Sequence, residues 1–164
     1  MKLKWKSFSA LTKKELYELL NLRQQVFVVE QDCPFIDADF KDQDCDHLLA
    51  YEMTELVGYL RVGKPGKRYQ GPEIGRVLTK DSIRGKGIGS KLIKMCLDFA
   101  KKSGYQFCYI ETMHNMIAAQ KLYKKNGFFL LDSPLGNTGH NSCPVWMKLK
   151  PVSYTHLRAH ETEL

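Results

Sequence analysis

A chain of 164 residues with 43% hydrophobic content is long enough to close one good core and too short for two ordinary ones. Its formal charge of +7 leaves a nucleic acid or a compact polyanion to be weighed as partner, while the lack of any run of about 18 apolar residues excludes a spanning helix. Five cysteines, Cys33, Cys45, Cys96, Cys108 and Cys143, include no C-x-x-C pair, so neither a disulfide framework nor a zinc site is signalled.

The opening Met1-Lys2-Leu3-Lys4-Trp5-Lys6 is interrupted by lysines before a signal-peptide core can form, which points to a cytoplasmic protein with no membrane partner. Residues 3–8 alternate apolar and polar as an edge strand does. Thr12-Lys13-Lys14-Glu15 is a capping-box pattern, and Leu16, Leu19, Leu20, Arg23 and Phe27 then recur at helical spacing. An arginine on that apolar face points to pairing with the acidic segment that follows. Seven acids (Glu30, Asp32, Asp37, Asp39, Asp42, Asp44 and Asp46) stand there against the single base Lys41. Residues 32–46 have no period and read as a long loop, a feature that in compact domains is usually functional or disordered.

Residues 47–53 and 56–63 read as a hairpin about Thr54-Glu55, Gly63-Lys64-Pro65-Gly66-Lys67 as an exposed turn, and 74–79 as a third strand. From Gly87 the pattern becomes helical, with Leu92, Ile93, Cys96, Leu97 and Ala100 on one face and Gly104 as cap. Residues 105–111 return to strand, a helix covers 116–126 with Gly127 at its end, and 128–131 and 143–149 are the last strands. The order is strand, helix, loop, three strands, helix, strand, helix, two strands. That is an α/β chain with a mixed sheet and no regular βαβ alternation. Residues 152–162 resemble the translation of a sequencing-library adapter, so the expectation is a single domain over 1–151 and an artefactual or disordered tail over 152–164.

The sharpest chemical signal is the junction Arg76-Val77-Leu78-Thr79, then Arg84-Gly85-Lys86-Gly87-Ile88-Gly89. Glycines let a backbone approach a ligand closely, and a helix starting there aims free N–H groups and a positive dipole end at an anion such as a pyrophosphate. Two other phosphate motifs fail. A dinucleotide fingerprint needs a third glycine where Ser90 stands, and a P-loop needs Gly-Lys-Ser/Thr where Gly89-Ser90-Lys91 stands. The basic residues from Lys80 to Lys102, with Lys121, Lys124 and Lys125, suit a compact polyanion at least as well as a nucleic acid, and no aromatic-basic RNA motif or recognition helix accompanies them.

Arg84-x-x-Gly87-x-Gly89 after a strand resembles the acetyl-CoA pyrophosphate loop of the GNAT superfamily, and Ala119-x-x-Leu122-Tyr123-x-x-x-Gly127-Phe128 resembles its second signature. Upstream, Leu22-Arg23-x-x-Val26-Phe27-Val28-Val29-Glu30-Gln31-x-Cys33-Pro34-Phe35-x-Asp37-x-Asp39 resembles the N-terminal signature of ElaA-like members, so the resemblance spans residues 5–150. It implies the GNAT fold: an α/β, α+β mixed sheet of seven mostly antiparallel strands flanked by helices and splayed at the acyl-CoA-binding strand. It further implies an N-acetyltransferase that passes an acetyl group from acetyl-CoA, as co-substrate and without metal, to a primary amine by direct attack. The protein is then a monomer or homodimer acting on a small-molecule amine.

The same resemblance carries roles onto residues. Val77, Leu78 and Thr79 would offer backbone groups to the donor, with Arg84, Gly85, Lys86, Gly87, Ile88, Gly89 and Ser90 forming the anion loop. Tyr123 would protonate the leaving thiolate. Glu111 and Glu73 are candidate bases with Glu30 behind them, and Glu30, Asp37 and Asp39 would draw a cationic amine, a small one or a lysine side chain. There are departures. The family's asparagine before the tyrosine falls here at Met116, with Asn115 one residue earlier as the substitute contact, and Ser142-Cys143-Pro144-Val145 replaces a Pro-His pair of ElaA-like chains. Three other readings stand beside this one: a GNAT-fold module that binds acyl-CoA without transferring it, a nucleic-acid binder that rests on charge alone, and a donor longer than acetyl.

Overall fold

Thr12 starts the first helix as its capping box predicts. Its hydroxyl accepts the Glu15 N–H at 3.0 Å, and the Glu15 carboxylate accepts the Thr12 N–H at 2.9 Å. In the computed structural model, which describes residues 1–65, 72–136 and 143–149, helix α1 runs Lys13–Arg23. The chain then stays helical in wider π turns over Gln24–Glu30, whose sequence QQVFVVE is rich in β-branched residues that crowd an ordinary α turn. The expected exposed turn after Gly63 and the 152–164 tail lie wholly or partly outside the described residues.

Seven strands form one sheet: β1 (Lys2–Ser7), β2 (Cys45–Glu52), β3 (Glu55–Gly63), β4 (Glu73–Thr79), β5 (Cys108–Thr112), β6 (Phe128–Leu131) and β7 (Val145–Leu149). Their order is β1-β2-β3-β4-β5-β7-β6, and every neighbouring pair is antiparallel except β4 with β5. Two helices lie in the connections around β5, α2 (Ile88–Lys102) before it and α3 (Ile117–Lys125) after it. Gly104 takes φ +74 and closes α2, with Gly104 N–H on Lys101 O at 3.0 Å and Tyr105 N–H on Ala100 O at 2.9 Å. That closure uses Tyr105 as the end of a helix, which is why β5 starts three residues later than the apolar pattern suggests. Pro144, lacking an N–H, similarly holds the start of β7 to Val145.

The pleat sorts β2 onto two faces. Leu48 and Ala50 join Leu92, Ile93, Cys96 and Tyr123 under α2 and α3, while Leu49 and Tyr51 join Leu19, Leu22 and Val26 under α1. A strand buried on both sides reads as a continuous apolar run, and this one does. No helix among the described residues is long and apolar enough to cross a membrane.

The loop after the π turns is fastened by charge. Arg23, fully buried, donates Nε to Asp37 Oδ2 at 2.7 Å and Nη1 to Asp42 Oδ1 at 2.7 Å. Arg61 from β3 donates to the same Asp42 oxygen at 2.7 Å and to Asp39 at 2.6 and 2.9 Å. Arg76 from β4 donates Nε to Asp37 Oδ1 at 2.8 Å and Nη2 to the Asp37 carbonyl at 3.1 Å. Burial works against the charge on Asp39 and Asp42, but the facing guanidinium groups prevail and hold both carboxyls below the usual carboxylate range. Beneath them, His47 donates Nε2–H to the Asp42 carbonyl at 2.9 Å and accepts the Tyr59 hydroxyl on Nδ1 at 2.6 Å. Burial lowers the pKa of the ring below the ordinary imidazole value.

Three arginines from three elements thus meet three aspartates from one loop, and the charges balance. Asp37 and Asp39, expected to draw a cationic amine, are bound to these arginines. Removing one partner leaves a buried carboxylate uncompensated, so Arg23→Met is expected to cost about 3–5 kcal/mol in urea unfolding; a loss below about 1 kcal/mol, within the range of surface pairs, would show the lattice to be incidental.

Candidate functional site

Only two residue pairs join β4 to β5, Glu73 with Tyr109 and Ile74 with Ile110. Beyond Ile74 the strands part. The cause lies on the other edge of β4, where two residues, Arg76 and Val77, stand opposite the single Leu60 between the pairs Arg61 with Gly75 and Tyr59 with Leu78, a bulge with Arg76 at φ +53. Past it, Leu78 and Thr79 keep β3 on one side, and no strand among the described residues pairs with Val77, Leu78 or Thr79 on the other.

A cleft of about 610 Å³ opens along that unpaired edge. Its walls come from β4 (Val77, Leu78, Thr79), the turn that follows (Ile83, Arg84, Gly85, Gly87), the start of α2 (Ile88, Gly89, Ser90), α3 with its lead-in (Met116, Ala118, Ala119, Leu122, Tyr123) and the π turns (Val26, Phe27, Glu30, Gln31). Most residues predicted for the donor are therefore gathered in one place. Lys86 and Asn115 are exposed and do not line the cleft. Met116 does, so the position the family usually fills with asparagine is present here with a thioether.

Gly85 and Gly87 take φ +80 and +77, the left-handed region that side chains with a Cβ rarely adopt. A Cβ added at either would meet nothing within 4 Å, so the turn opens onto empty space. Gly87 caps α2, and the first helical bond is Lys91 N–H to Gly87 O at 3.2 Å, which leaves the amides of Ile88, Gly89 and Ser90 without intrahelical acceptors. These amides, with the dipole of α2 behind them, form a cradle for an anion. Gly89 serves differently. A Cβ there would stand 3.1 Å from Leu122 Cδ2, so the missing side chain lets α3 pack against α2 and bring Tyr123 to the cleft.

Tyr123 is buried, its ring 6.0 Å from that of Phe128, and its hydroxyl has no hydrogen-bond partner among the described residues. Burial alone pushes its pKa above the ordinary phenol value. Glu111 and Glu73 lie elsewhere. Glu111 accepts the Tyr109 hydroxyl at 2.8 Å, and Tyr109 is the register neighbour of Glu73, so both acids share the sheet face where the arginine lattice lies and neither lines the cleft. Asp37 and Asp39 do not line it either. Glu30 does, and its carboxylate is bound to Arg84. No sequence signal could have linked those two, because they stand 54 positions apart.

Residues 13–128 match the model of the acetyltransferase (GNAT) family. Over 152 residues the chain is 34% identical to a UPF0039 protein of Synechocystis, covering 90% of this chain and 95% of that one. It is 40% identical over 92 residues to Escherichia coli ElaA, 55% of this chain and 60% of ElaA, and the ElaA crystal structure superposes with a TM-score of 0.76 over 91% of this chain and 100% of its own. The crystal structure of an acyl-CoA N-acyltransferase from Pseudomonas aeruginosa, 31% identical, superposes with a TM-score of 0.78 over 91% of this chain and 99% of that one.

The two glycines predict separable defects. Gly87→Val is expected to keep the fold, since its Cβ meets no atom, at a strain of roughly 1–2 kcal/mol, and to lower calorimetric affinity for CoA at least about tenfold by closing the cradle. Gly89→Val is expected to lower thermal stability as well, through Leu122. Equal CoA affinity for wild type and Gly87→Val would remove the cradle from the account.

Proposed function

The chain belongs to the acetyltransferase (GNAT) family, and from that premise we propose that it transfers an acetyl group from acetyl-CoA to a primary amine by direct attack. What carries this reading is the parting of β4 from β5 beyond Ile74, beside the left-handed turn at Gly85 and Gly87. The size of the cleft, its open cradle and its apolar wall of Val77, Leu78, Ala119 and Leu122 fit a long thiol arm ending in a diphosphate. Bound there, acetyl-CoA supplies an activated carbonyl and a good leaving group.

In this reading each residue has a separate task. The free edge of β4 at Val77, Leu78 and Thr79 holds the arm by backbone bonds and aims an N–H at the carbonyl oxygen, where negative charge develops. Tyr123 keeps its proton at neutral pH because burial disfavours the phenolate, and with no competing acceptor its hydroxyl is free to protonate the departing sulfur. Glu111, held by Tyr109, is the favoured base for the ammonium, since the gap between β4 and β5 is where the two sheet faces communicate. Glu73, farther down the paired part of the strands, is second choice. A partly buried acid on that face supports a cationic acceptor, a small amine or a lysine side chain.

Free-thiol release, followed with acetyl-CoA and a panel of amines, tests the assignment. Tyr123→Phe is expected to lower kcat about 100-fold or more while leaving KM for acetyl-CoA nearly unchanged, the pattern of an interaction made only in the transition state. Full activity of that variant would refute the acid, and CoA binding without any amine-stimulated thiol would refute transfer itself.

A further inference from the structure

Arg84 stands in the cleft wall next to the cradle, yet its guanidinium is wholly occupied by the protein. Nη2 donates to Glu30 Oε2 at 2.8 Å and Nη1 to Glu30 Oε1. Nε and Nη2 donate to the Thr79 carbonyl at 3.1 and 3.0 Å, and Nη1 reaches Asp81 Oδ1 at 3.4 Å. A guanidinium carries five N–H donors, and these five contacts leave none for a ligand.

Resting on the reading of the cleft as a CoA site, we propose that Glu30 is an internal competitor that holds the diphosphate's place on Arg84, so that the donor binds by exchanging its diphosphate for the Glu30 carboxylate. The buried lattice is the contrast. Arg23 and Arg61 are sealed among their aspartates, whereas the Glu30 and Arg84 side chains are each 38% exposed, and an exposed pair is held only weakly against water. Arg84 holds the Glu30 carboxyl below its usual range, so the competing charge is present at neutral pH. Glu30 has no second hydrogen-bond partner among the described residues, and it ends the π turns. A diphosphate brings two charges and oxygen geometry matched to the guanidinium fork, which lets it displace a single carboxylate. A thiol lacking phosphate makes no exchange, so Glu30 lowers affinity for diphosphate-bearing donors and leaves that for pantetheine untouched.

Calorimetry with CoA and with pantetheine, on wild type, Glu30→Gln, Arg84→Gln and the double variant, tests the exchange. Glu30→Gln is expected to bind CoA about fivefold more tightly, equivalent to about 1 kcal/mol, with pantetheine affinity unchanged and the gain reduced when Arg84 is already Gln. Unchanged or weaker CoA binding by Glu30→Gln would make the pair a structural strut and overturn the proposal, as would the same gain with pantetheine or without Arg84. If wild type itself failed to bind CoA, the donor reading would fall together with this one; if wild type bound and Glu30→Gln matched it, only the exchange would fall.

Discussion

A single residue of β4 held in a left-handed conformation sets the rest of the structure. Arg76 at φ +53 makes the bulge that turns the end of β4 away from β5, and such a conformation persists only where the surroundings over-determine it. Here they do so through Asp37, which takes the Arg76 guanidinium on one carboxylate oxygen and that of Arg23 on the other. Asp42 ties Arg23 to Arg61, and Asp39 ties Arg61 toward Arg76, so helix, strands and loop close into one lattice. Charged groups this deep are tolerable only because each has a partner. The strain at Arg76 and the burial of its neighbours are two aspects of the same arrangement.

That lattice separates structural charge from functional charge. The acids and bases sealed under the loop balance one another, while those along the cleft stay near water and can change partners. The donor side also divides its glycines by purpose: Gly85 and Gly87 supply backbone conformations at an open turn, and Gly89 supplies room between α2 and α3. The first pair shapes a place for an anion. The other lets α3 pack close on α2, and Tyr123 on α3 lines the same cleft.

Much of this was legible in the residues. The capping box at Thr12, the apolar face from Leu92 to Ala100 and the glycines at 104 and 127 locate the helices because their causes are local. Arg23 on an apolar helix face correctly signals a partner in the acidic loop. What the pattern could not convey was long-range pairing. A dense run of aspartates reads as a field when the arginines that neutralise it stand at 23, 61 and 76, in elements that meet only after folding. The π turns were hidden for a different reason, since 3.6-residue spacing persists through Phe27 and then loosens without a glycine or proline to mark it. Met116 in the family's asparagine position was visible, but its place in the cleft wall was not.

The unpaired edge of β4 and the amides opening α2 are proposed to form one continuous donor site. Amide hydrogen exchange with and without saturating CoA tests it most directly. CoA is expected to slow exchange at Val77, Leu78 and Thr79 together with Gly85 through Ser90, and to leave β1 and β2 unaffected. Slowing confined to the lysine-bearing stretch from Lys91 to Lys102, with the β4 amides unchanged, would mean that CoA is held by surface charge alone and would contradict it.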